Sequence, residues 1–380
     1  MYPKIVLALI FLSGCGSSND GAQTGNSNLA VTSTPSLTCS LFRPSITSYG
    51  TAGKLPYGIA SGNYAGKLSL LVGSNDTVTN SGTFLVTSAD AGFSVPPSSV
   101  QLPGASSEVK STAYNNVDYW FMSLSNSVVY FPMPQPLSNS TPMVPTLTTI
   151  PTGSLPRGIV IHDLNGDQKP DLIVANRGAD YLSVVSDVFA TPTPSAIQVT
   201  TGGKGPGHVQ LISLDSGSGP GLAVLNYGDK SLSLCVNNST PTSLSLSFSC
   251  NATQLPTSIT VPDRILVGKF GIAISDLGGT TVSFFTVSKG NVPTLSQQVT
   301  VGRRPADLIA WDKSIVVANL LDDTVSVLQS TNGTFSQTDV CGTGGKAPRG
   351  IVSGDFNQDG KLDIAVANQN SDTISILLHQ

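Results

Sequence analysis

Charge is what this sequence has least of. Asp, Glu, Lys and Arg make up 11% of its 380 residues, against roughly 25% in an ordinary soluble domain. The net charge is −4 and no basic run occurs, so the electrostatic footprint of a nucleic-acid binder is missing. No apolar stretch reaches the ~18 residues that would suggest a membrane-spanning helix. Three histidines are present. They offer no zinc-ligand spacing, and no Ser/His/Asp or Cys/His arrangement can be built on them. The helix formers Glu, Lys, Gln, Arg and Met are scarce, whereas Ser, Thr, Val and Gly are abundant. That balance favours strands and turns. Hydrophobic residues make up 39% of the chain, enough for a core, and the expectation is an exported or surface all-β protein.

The N-terminus carries an address. Lys4 precedes the short apolar run Ile5–Leu12, and small residues follow, as in a secretory signal peptide. Leu12-Ser13-Gly14-Cys15 resembles the bacterial lipobox. That resemblance implies a lipoprotein signal peptide over 1–14 and lipidation of Cys15. Gly16 lacks the Asp-type retention signal, so the implied location is the outer membrane or cell surface. Residues 15–36, nearly free of large apolar side chains, read as a flexible tether.

Four cysteines remain beyond Cys15, an even number that suggests disulfides in an exported chain. Cys235 and Cys250 flank a turn at Pro241-Thr242-Ser243, so a hairpin would join them. Cys39 and Cys341 are then paired by elimination only.

Internal repeats decide the expected fold. Residues 155–176, LPRGIVIHDLNGDQKPDLIVAN, align without gaps with 347–368, APRGIVSGDFNQDGKLDIAVAN. Weaker copies occupy 55–76, 205–226, 261–276 and 304–328, and strand-like runs between Pro103 and Pro151 supply a degenerate one. A proline opens each recognisable copy: Pro56, Pro156, Pro206, Pro262, Pro305 and Pro348. These anchors give units of roughly 43–56 residues, each with about four short β-branched runs. The reading is a seven-bladed β-propeller of four-stranded blades over residues 37–380. The last unit ends after its third strand, so the stretch Leu41–Tyr49 is expected to complete that blade and close the ring.

Two repeats contain a loop with alternating oxygen side chains. In one, Asp163, Asn165, Asp167 and Asp171 stand at positions 1, 3, 5 and 9, with Lys169 offering a backbone carbonyl at position 7. In the other the same roles fall to Asp355, Asn357, Asp359, Asp363 and Lys361. A tight loop of this kind presents convergent oxygens to a hard cation, and its tolerance of irregular geometry favours Ca²⁺ over Mg²⁺. Two calcium sites are expected. The unit at 205–226 has lost the pattern, with Ser213, Asp215, Gly217 and Gly221 in the equivalent places.

The segments HDLNGDQKPDLIVANRGADYLSVV and GDFNQDGKLDIAVANQNSDTISILL resemble FG-GAP/VCBS-type repeats, and 304–328 is also similar to YVTN-type surface repeats. The resemblance implies an integrin-like propeller with calcium in the loop between the first two strands of a unit. It also implies binding or adhesion in a broad sense.

The residue after each anchor proline is Tyr57, Arg157, Gly207, Asp263, Ala306 or Arg349. In a propeller these would ring one mouth of the central channel. Tyr57, Arg157 and Arg349 are the candidate ligand-binding residues, since guanidinium groups grip anions bidentately. The favoured function is a lipid-anchored, monomeric, non-catalytic module that binds a protein or glycan. The alternative is a polysaccharide-active enzyme with its site at the channel mouth.

Overall fold

Every anchor proline opens a strand, the one place in a sheet interior where the missing N–H costs nothing. The computed structural model describes residues 39–43, 47–51, 53–64, 67–75, 81–88, 92–93, 98–132, 145–192, 195–240 and 246–380. The expected signal peptide, Cys15, the tether and the Pro241–Ser243 turn lie outside these residues.

The chain is an all-β propeller. Strands β1 (Thr47–Gly50) and β2 (Pro56–Tyr64) are followed by β3 (Lys67–Ser74), β4 (Ser81–Ser88), β5 (Gly92–Phe93) and β6 (Ser98–Gln101). The next sheet holds β7 (Val109–Tyr114), β8 (Val117–Ser123), β9 (Ser127–Pro132) and β10 (Thr148–Pro151). Then come β11 (Pro156–His162), β12 (Asp171–Asn176), β13 (Tyr181–Val185) and β14 (Ile197–Thr200). Strands β15 (Pro206–Ile212), β16 (Gly221–Asn226), β17 (Ser231–Asn237) and β18 (Phe248–Gln254) form the following sheet. It is succeeded by β19 (Pro262–Gly268), β20 (Gly271–Asp276), β21 (Thr281–Ser288) and β22 (Val292–Thr300). After β23 (Pro305–Trp311), β24 (Ser314–Asn319), β25 (Thr324–Thr331) and β26 (Thr334–Gly342), the chain ends with β27 (Pro348–Gly354), β28 (Asp363–Asn368) and β29 (Thr373–Leu377).

Six of these sheets are four-stranded blades. The expectation of seven such blades is corrected at the sheet that starts with β2. It has five strands, because both β5 and β6 pair with β4. Along the inside, each first strand packs against the next, and β2 packs against both β27 and β7.

The N-terminal strand supplies the fourth strand of the last blade, in the order β1-β29-β28-β27. Upstream, Phe42 bridges to His379, and Asp339 accepts hydrogen bonds from the amides of Ser40 (2.8 Å) and Leu41 (3.0 Å).

Burial follows position within the blade. The second strands β12, β16, β24 and β28 are buried at every residue, because neighbouring blades cover both faces; their near-continuous apolar runs suit that setting. The outer strand β22 alternates instead, as one-sided burial requires. Four second strands end in a fully buried asparagine: Asn176, Asn226, Asn319 and Asn368. Each amide donates to a serine seven residues on, for example Asn319 to Ser326 at 2.9 Å. In the same four blades a glycine three residues before the anchor proline, Gly153, Gly203, Gly302 or Gly345, leaves room for it; a Cβ on Gly302 would lie 2.5 Å from the Asn319 side chain.

Candidate functional site

A register shift follows every anchor proline. In β11, β15, β23 and β27 the ladder skips one residue after the proline, and in β2 and β19 it skips two. A bulge re-aims the side chain it carries, and here the shift occurs on the strands that line the channel.

The structure brings four of the post-proline residues together. Asp263 pairs with Arg349 at 2.7 Å and with Arg157 at 3.8 Å. The Tyr57 hydroxyl accepts a hydrogen bond from Arg349. Two guanidinium groups lie over its ring, with centroid distances of 4.7 Å for Arg349 and 5.1 Å for Arg157. Gly207 and Ala306 occupy the same layer without functional groups. Burial alone would raise the Asp263 carboxyl, but Arg349 and then Arg264 and Arg157 hold it below its ordinary value.

The two arginines proposed to grip a ligand differ in access. Arg349 is 3% exposed and committed to Asp263 and Tyr57, whereas Arg157 is half-buried. Arg157 lines a cavity of about 390 Å³ together with Asn75, Ser107, Ser125, Leu155 and Arg177. Arg177, which the sequence reading did not single out, stacks over Tyr227 at 3.7 Å. The two guanidinium groups that line this cavity are therefore those of Arg157 and Arg177.

One residue further along the first strands lies a second charged layer. Arg264 donates to Glu108 at 2.6 Å, and Lys110 lies 3.2 Å from the other Glu108 oxygen. His208 accepts the Ile265 amide on Nδ1 at 3.3 Å, and Gln210 accepts the Val267 amide at 2.9 Å. Asp307 accepts the Ile351 amide at 3.1 Å. These groups line a cavity of about 250 Å³. No motif in the sequence marks His208, Glu108, Arg264 or Asp307. One signal was available: Glu108 is the only glutamate in the chain.

The two candidate metal loops lie beyond the ends of β11 and β27, on the opposite face from the post-proline ring. They share one hydrogen-bond pattern. The amide of Asp167 reaches both Asp163 (3.1 Å) and Asn165 (3.2 Å), and that of Asp359 reaches both Asp355 (3.0 Å) and Asn357 (3.1 Å). Side-chain oxygens at positions 1 and 3 thus converge on one turn. The donor set of carboxylate and carboxamide oxygens fits a hard cation. Position 9 is different. Asp171 ties the Leu164 and Asp187 amides, and Asp363 ties those of Phe356 and His379. Among the described residues no group of three or more His, Cys, Asp or Glu is arranged to hold a metal. The Lys169 and Lys361 ammonium groups are engaged with Asp187 and the Gln380 carbonyl, leaving their backbone carbonyls as what position 7 offers.

Disulfides join Cys235 to Cys250 and Cys39 to Cys341. The first spans directly paired residues of β17 and β18; the second ties the N-terminal segment to β26.

A family model for the FG-GAP-like repeat matches residues 312–366, which contain the second metal loop. The chain is a β-propeller that carries an FG-GAP-like repeat. No curated protein matches it in sequence. Among solved structures, virginiamycin B lyase from Staphylococcus aureus is similar at 13% identity and a TM-score of 0.60, covering 88% of this chain and 98% of that one. A periplasmic gluconolactonase from Pseudomonas aeruginosa is similar at 13% identity and a TM-score of 0.58, covering 77% and 86%. The putative 6-phosphogluconolactonase of Bacteroides fragilis gives 13% and 0.56, covering 77% and 85%. At such identities the likeness is one of fold.

Proposed function

We propose that this protein is an exported, lipid-anchored propeller that binds an anionic protein or glycan group without catalysis. The observation that carries this reading is the Arg157–Arg177 pocket. Two guanidinium groups, one oriented by Tyr57 and the other by Tyr227, line a recess that also offers Ser107, Ser125 and Asn75. Such forks suit carboxylate or sulfate groups. The five-stranded sheet serves as a seventh blade, because β2 lies between β27 and β7 in the inner ring. The loops at Asp163–Asp171 and Asp355–Asp363 take one Ca²⁺ each, as the shared amide pattern supports, and the ions brace the face opposite the pocket. Cys15 carries the anchor.

The alternative, an enzyme acting on polysaccharide at this mouth, has less support. Asp263 is the carboxylate of the ring, and Arg349 holds it ionised, so it is a poor proton donor. A glycan and protein array tests the choice. Binding that the Arg157→Ala/Arg177→Ala variant loses by tenfold or more supports the proposal. An array with no ligand, combined with turnover of a polysaccharide, overturns it.

A further inference from the structure

Each carboxylate oxygen that lines the cavity inside the channel is already engaged by a neighbour, while several donors there are not. Both Glu108 oxygens are engaged, by Arg264 and by Lys110. Both Asp307 oxygens accept backbone amides, from Leu308 at 3.0 Å and Ile351 at 3.1 Å. His208 accepts the Ile265 amide on Nδ1; a neutral imidazole with one nitrogen accepting must carry its proton on the other, so Nε2–H is a donor. Gln210 uses its oxygen on the Val267 amide, which leaves the NH₂ end to donate. The Arg264 Nε, buried on a residue 5% exposed, has no hydrogen-bond partner and stands 3.9 Å from Asp307. Lys110, with a side chain 43% exposed, has two ammonium hydrogens beyond the one directed at Glu108. All four donor residues line the same cavity of about 250 Å³.

The geometry points to a second ligand site here, distinct from the Arg157–Arg177 pocket, that binds the oxyanion end of a small carboxylate- or phosphate-bearing molecule. A buried donor without an acceptor is costly, and an oxyanion supplies several acceptors at once. The volume lies below the roughly 300 Å³ at which pockets for drug-sized ligands begin, so the guest is small. The lining extends along the first strands to Ala310 and Ser353, away from the Tyr57–Asp263–Arg349 layer.

Calorimetric titration of the full protein in chelated buffer tests this, with inorganic phosphate in one arm and succinate in the other. Saturable uptake of one anion per chain in either arm is the expected result, and the arm that binds identifies the oxyanion. Lys110→Met and Gln210→Leu should each weaken uptake at least tenfold; Lys110 is exposed enough for the first variant to fold. The Arg157→Ala/Arg177→Ala variant should bind as the parent does. The proposal is overturned if neither anion binds saturably, if binding survives both channel substitutions, or if the Arg157/Arg177 variant abolishes it.

Discussion

Glu108 and Arg264 come from different blades and meet across the channel with almost no solvent. Removing one partner of a buried pair strands the other charge, typically at about 3–5 kcal/mol. Glu108→Gln should lose stability on that scale in urea unfolding, whereas Glu108→Leu with Arg264→Met should lose much less than the two single changes summed. Equal additivity would show that the pair does not act as a unit. Nearby, burial and then the Arg264 charge depress His208 from 6.5 to about 3. Between those values the unfolded chain binds a proton that the folded one refuses, so stability falls as pH drops from about 6.5. Glu108 titrates lower. Burial alone would raise it, but Arg264 and then Lys110 hold it at about 2 against an ordinary 4.5. Its contribution is therefore present above pH 4.5 and lost towards pH 2. His208→Gln should flatten the stability profile between pH 6.5 and 4.5 and make the fall below that shallower, leaving the part that Glu108 sets. A profile unchanged in the upper window would remove His208 as its source.

At the scale of the blade, the repeated lock is an asparagine at the end of the second strand, a serine on the third and a glycine before the anchor proline. Gly302→Ala would push a methyl group against Asn319, and overpacking of this kind costs about 1–3 kcal/mol. Asn319→Ala in the same background should recover part of that loss, as thermal unfolding would report; no recovery would mean that the clash lies elsewhere. The β17–β18 hairpin has a covalent counterpart. Cys235 and Cys250 are 15 residues apart, and removing a link over a loop of that size costs about 3 kcal/mol on the chain-entropy account. Much of this was legible in the sequence. The anchor prolines mark strand starts because an inner strand tolerates a proline at its first residue. The hairpin flanked by Cys235 and Cys250 was visible as a local turn. The extra strand after β4 was not foreseen, because what pairs with an outer strand depends on what its neighbour offers.

Across the whole molecule, the ring is held at its seam by three devices at once. β1 pairs with β29, Cys39 is bonded to Cys341, and Asp339, 1% exposed, caps the Ser40 and Leu41 amides. Deleting residues 37–50 should lower the melting temperature by far more than Cys39→Ser alone. An unchanged melt would overturn closure by this strand. Calcium belongs at this scale too. Each metal loop joins the first two strands of one blade, so chelation should lower the melting temperature, and Asp163→Ala with Asp355→Ala should abolish the difference. Calorimetry without Ca²⁺ uptake would defeat the metal assignment.

The sequence by itself determined the repeating unit, because strand period, proline placement and buried apolar runs are local properties that each blade expresses alone. It also placed Tyr57, Arg157, Asp263 and Arg349 in one layer, since equivalent positions in a closed repeat share a height. What only the tertiary structure decided is how that layer pairs. Charges from separate blades choose partners by distance across the channel, so Arg349 is sealed against Asp263 while Arg157 faces a pocket with Arg177. The same holds for Glu108, His208, Gln210 and Arg264, which lie far apart in the chain and face one cavity only because the ring closes. The shortage of charge along the sequence says nothing of where the few charges meet; closure of the ring settles that.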